Sequence, residues 1–116
     1  MTLPATERSF SLSPQKSADS LVVFCRGRLT ADASDYFKHE IKALLPTTEK
    51  LILDFEAVTH MDSSGLGAVV SVWATSRSAE CQLQICNLSR PVQRLLGVTH
   101  VLQAFEACGA HLTRLP

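Results

Sequence analysis

A chain of 116 residues with 46% hydrophobic and 19% charged side chains fits one compact soluble domain around one core and excludes a largely disordered polypeptide. Eleven basic residues balance eleven acidic ones, which leaves no net positive field for direct nucleic-acid binding and no polybasic run for a membrane surface. The apolar runs fall far short of the roughly eighteen residues of a membrane span, and Met1 to Phe10 lacks a basic-then-apolar leader, so a cytoplasmic protein without membrane insertion is expected.

In chain order, Met1 to Ser20 is rich in Ser, Thr and Pro, with alternation only around Phe10 and Leu12; a frayed end over 1–8 and one edge strand are expected. Leu21 to Cys25 is apolar and β-branched and reads as a second strand that runs into a turn at Gly27 to Thr30. Thr30 or Asp32 then caps a helix with Ala33, Phe37, Ile41, Leu44 and Leu45 as its apolar stripe, ended by Pro46.

Leu51-Ile-Leu-Asp-Phe is short, apolar and closed by polar residues, as in a central strand covered on both faces. After the break at Asp62-Ser63-Ser64-Gly65, Leu66, Val69, Val70, Trp73 and Arg77 follow at spacings of three and four, so a second helix presents one face to the sheet. Asp62 or Ser63 caps it, and Ser64 falls in its first turn, near the positive end of the dipole.

Gln82 to Cys86 alternates as a further strand. Ser89 caps a short helix with Pro91 early, Val92, Leu95 and Leu96 inward and Gly97 at its end. Val101 to Phe105 is one more short apolar segment, and His111 to Leu115 a terminal strand. This order predicts a single α/β domain over 1–116, with a mixed sheet and helices mainly on one face. Cys25, Cys81, Cys86 and Cys108 are scattered without CxxC spacing and read as buried free thiols.

Three chemistries are conceivable for the turn. A nucleophilic serine requires a base and an orienting carboxylate, yet M-D-S-S-G is not G-x-S-x-G, and His39, His60, His100 and His111 are not placed beside it by sequence. A small serine hydrolase is therefore a minor alternative, with no catalytic residue assigned. Gly65-Leu66-Gly67 lacks the Lys-Ser/Thr of a P-loop and the third glycine of a dinucleotide fingerprint, and no ligand cluster suits a metal, so no cofactor is expected. A phosphate on Ser64, by contrast, would be tolerated at a helix start while changing the charge and bulk of a small neutral surface.

The run Leu51 to Gly67, with Gly27-Arg28-Leu29 before it and Asn87 to Leu96 after Gln82, resembles STAS domains, the fold of anti-sigma factor antagonists and of sulphate-transporter tails. The resemblance covers about Leu21 to Phe105. It implies a non-enzymatic, bacterial anti-anti-sigma factor that binds an anti-sigma factor, itself a serine kinase of the histidine-kinase-like ATPase type. Phosphorylation at Ser64 would release that partner and so regulate a sigma factor, and a serine phosphatase would reset the switch.

The partner surface implied is Thr30, Asp62, Ser63, Ser64, Gly65, Leu66 and Gly67. Thr30 stands where many members carry an acidic residue, which leaves the turn less acidic. The alternative is a non-catalytic STAS subunit that binds constitutively in a transport or signalling complex.

Overall fold

Five strands and two long helices carry the architecture of the computed structural model, which describes residues 9–90, 92–94 and 111–113. They are β1 (Phe10–Ser17), β2 (Ser20–Leu29), α1 (Ala31–Leu44), β3 (Lys50–Met61), α2 (Ser63–Ser78), β4 (Gln82–Cys86) and β5 (His111–Thr113). The expectations for Pro91, Leu95 to Phe105, Cys108 and the frayed 1–8 lie outside the described residues. Sheet order follows the chain, β1-β2-β3-β4-β5. β1 is antiparallel to β2 and the other neighbours are parallel, so the sheet is mixed as expected.

Each crossover, β2-α1-β3 and β3-α2-β4, moves one strand along in the same direction. Right-handed connection then puts both helices on one face of the sheet. Beneath them Val23, Leu51, Leu53 and Phe55 pack against Phe37, Ile41, Val69 and Val72, all buried. Phe37 links the layers, edge-on to Phe10 at 6.1 Å and to Phe55 at 6.3 Å between ring centroids. On the opposite face Phe24 is 42% exposed.

Two local expectations need correction. Gly27 is not a turn but an interior position of β2, where the register against β3 shifts. Its φ is +102°, and a Cβ there would stand 2.1 Å from the Ser9 carbonyl oxygen. Glycine supplies both the left-handed backbone and the close approach of the chain entering β1. β2 therefore continues to Leu29, paired with Met61 of β3.

The buried stripe of α2 also differs from the one read by spacing. It is Gly65, Ala68, Val69, Val72 and Ser76, while Val70 is 40% exposed and Arg77 lies over the Trp73 ring at 5.5 Å. Apolar residues occupy both sides of this helix, so spacing alone could not fix which side turns inward. Small residues line the buried side because the helix lies close to the sheet.

Candidate functional site

Level strand ends build the site. β2 stops at Leu29 and its partner β3 at Met61, and one residue later each chain enters a helix, at Thr30 and Asp62. Two helix starts, each with unpaired amides and a partial positive charge, are thus held side by side at the carboxyl ends of parallel strands.

Asp62 serves both. Its Oδ1 accepts the Gly65 amide of α2 at 2.8 Å and its Oδ2 accepts the Ala31 amide of α1 at 3.0 Å. The first bond is the N-cap read from the sequence. The second joins residues 31 positions apart and has no sequence signal, because it depends on the two strands ending level.

Thr30 is the N-cap of α1 by backbone position, but its side chain makes no capping bond. Its hydroxyl instead donates to Asp32 Oδ1 at 2.6 Å. That bond, with a smaller contribution from Arg28, holds the Asp32 carboxyl below the usual range, so it stays ionised. An acidic group therefore does stand at the start of α1, two residues beyond Thr30, the position that is acidic in many STAS members.

The turn divides its roles by exposure. Ser63 and Ser64, the first two residues of α2, are exposed, and among the described residues neither hydroxyl makes a hydrogen bond. Gly65 is buried, and a Cβ on it would meet the Leu29 carbonyl oxygen at 2.0 Å. Gly67 is exposed, and a Cβ there would meet nothing within 4 Å. Leu66 is half-buried and lines an apolar pocket with Met61, Val69, Ile85, Leu88 and Val92.

Of the candidate bases, the His60 ring contacts the neighbouring Thr59 hydroxyl at 3.0 Å, and His39 is exposed on α1. Beyond β4, the Gln93 amide donates to the Ser89 carbonyl at 2.9 Å. The Ser89 hydroxyl is buried without a partner among the described residues, so Ser89 starts its helical turn by backbone and not by a side-chain cap. Among the described residues no group of three or more His, Cys, Asp or Glu could hold a metal. No helix among them is long and apolar enough to cross a membrane.

The STAS domain family model matches residues 11–113. A STAS-domain-containing protein of Pseudomonas aeruginosa is 23% identical, over 80% of this chain and 92% of its own length. The anti-sigma factor antagonist SpoIIAA, solved in its unphosphorylated form, has a TM-score of 0.71 at 16% identity and covers 91% of this chain and 89% of its own. An anti-sigma factor antagonist from Mycobacterium paratuberculosis reaches 0.76 at 15% identity, covering 90% and 86%. SLC26A9 reaches 0.67 at 17% identity, with 81% of this chain matched to 18% of that much longer one. At such identities these structures show a shared fold.

Proposed function

The chain belongs to the STAS domain family, and from that premise we propose that it is an anti-sigma factor antagonist acting as a phosphoswitch at Ser64. Unphosphorylated, it binds in the cytoplasm an anti-sigma factor that is also a serine kinase of the histidine-kinase-like ATPase type, and this frees a sigma factor. The kinase phosphorylates Ser64 and is released; a serine phosphatase restores the binding form. The protein is a substrate and binding module, with no chemistry of its own.

The observation that carries this reading is the position of Ser64, exposed as the second residue of α2 with its hydroxyl unengaged among the described residues. A phosphate there gains from the dipole and the free first-turn amides, so the fold tolerates it. The same dianion on a small surface formed by Ser63, Ser64 and Gly67 opposes a docked partner. Opposed or unpaired charge in an interface costs on the order of 2 to 5 kcal/mol, about thirty- to several-thousand-fold in affinity. Ser64→Asp is expected to abolish capture of the kinase and Ser64→Ala to lock it on; a well-folded Ser64→Asp protein that still binds would sink the proposal.

A second reading is supported by the likeness to SLC26A9, in which the matched part is 18% of a longer chain. There the same surface would bind constitutively. Phosphoproteomics of the native cells separates the two, since a Ser64 unmodified under every growth condition favours constitutive binding.

A further inference from the structure

We propose that Asp62 is a positioning residue that transmits the modification state of Ser64 to the first turn of α1, so that the switch alters two helix starts together. This rests on Ser64 as the phosphoacceptor.

The Thr30 side chain does not cap α1; its hydroxyl donates to Asp32 instead. The Ala31 amide is satisfied instead by Asp62 Oδ2, a group that belongs to the start of α2. Since Oδ1 of that carboxylate holds the Gly65 amide, neither bond can be changed without moving the other.

The backbone leaves little slack. Gly65 lies so close to Leu29 that not even a Cβ fits between them, and Leu29 leads directly into Thr30 and Ala31. The start of α2 therefore touches the junction of β2 and α1 at two points, Gly65 on Leu29 and Asp62 on Ala31.

Phosphorylation places a competitor in this arrangement. Transfer of the γ-phosphoryl group of ATP forms a bond from Ser64 Oγ to phosphorus, breaks the bond to the β-phosphate oxygen, and releases ADP and the hydroxyl proton. The resulting dianion occupies the same first turn as Asp62. It is drawn to the same amides and repels the Asp62 carboxylate. Asp62 yields, and the bond with least support from its own helix, the one to Ala31, is lost. The start of α1, with Thr30 and Asp32, then loosens beside a changed Ser64, and the response covers both ends of the implied partner surface.

The test uses the full chain, labelled with nitrogen-15 and made with phosphoserine installed at position 64 during synthesis, so that neither kinase nor partner is required. Amide proton shifts and exchange rates are read at Ala31 and Gly65, with buried Ile41 in the interior of α1 as internal reference. Expected is an Ala31 amide that exchanges roughly ten- to a hundredfold faster, as for loss of one charge-assisted hydrogen bond, with Ile41 unchanged. Asp62→Asn in the unmodified chain should reproduce the change at Ala31, and phosphate should then add nothing there.

An Ala31 amide unaffected by phosphoserine overturns the proposal. If Asp62→Asn does not fold, the phosphoserine chain alone decides. Failure of the phosphoswitch reading is distinguishable, because it shows as partner capture by Ser64→Asp or as an unmodified Ser64 in cells, whatever Ala31 does.

Discussion

Gly65 and Gly67, two residues apart in the first turns of α2, perform opposite tasks. Gly65 lets the helix backbone touch the end of β2; the atom that a Cβ would strike, 2.0 Å away, is the Leu29 carbonyl oxygen, part of the main chain. Relief therefore requires the helix or the strand to move. Gly65→Ala is expected to cost about 2 to 3 kcal/mol, at the upper part of the range for overpacking. Gly67 meets nothing within 4 Å and only weakens the helix through backbone entropy, so Gly67→Ala should stabilise by about 0.5 to 1 kcal/mol. Urea unfolding of the two variants checks both signs. If Gly67 is retained to keep the docking surface low, the more stable Gly67→Ala chain should bind its kinase partner less well, which pull-down would read.

For a helix, the question is which side faces inward and what holds its ends. On α2 the buried line contains Val72, fully inaccessible, while Val70 is 40% exposed. Val72→Ala should cost about 2 kcal/mol through lost burial and a residual cavity, and Val70→Ala less than about 0.5 kcal/mol. Equal losses in thermal or urea melts would contradict this orientation. At the helix ends, Asp62→Ala removes one cap from each of two helices and is expected to cost about 2 kcal/mol, twice a typical cap. The sequence made part of this legible. Asp62 before a helical period is a local N-cap signal, and Phe37 and Ile41 on α1 mark a buried stripe against polar neighbours. The orientation of α2 was not legible, because Val70 and Val69 are chemically alike and only the sheet distinguishes them. The bond from Asp62 to Ala31 is a tertiary contact between segments 31 residues apart, beyond the reach of any local pattern.

Taken whole, the molecule is a sheet with helices on one face, and its order of elements followed from alternating periodicities of two and three to four. What periodicity could not supply was the length of β2. Gly27 has the composition of a turn but the position of a bulge, and its positive φ together with the approach of Ser9 requires glycine there. The thiols give the assembled fold a pH signature. Cys25, Cys81 and Cys86 are free and buried, as their apolar surroundings in the sequence imply. Burial first, then the Asp54 and Glu56 carboxylates, push the Cys86 thiol up to about 11. Cys25 is raised well above its ordinary range by burial, with Asp54 and Cys86 adding to it. Both are therefore neutral in the fold at pH values where an exposed thiol, near 8.5, already ionises. A raised folded value means that the unfolded chain releases protons first as pH rises. The stability contributed is complete below about pH 8.5 and is lost as pH climbs through the folded value, at up to about 1.4 kcal/mol per pH unit for each thiol. The urea midpoint should hold steady from about pH 7 to 8 and fall between about 9 and 10.5. Lysine and tyrosine titrate in the same interval, so the informative comparison is with Cys25→Ala/Cys86→Ala. The double variant, less stable near neutrality through its cavities, should show a flatter alkaline decline, whereas parallel declines in the two proteins would remove the thiols as its cause.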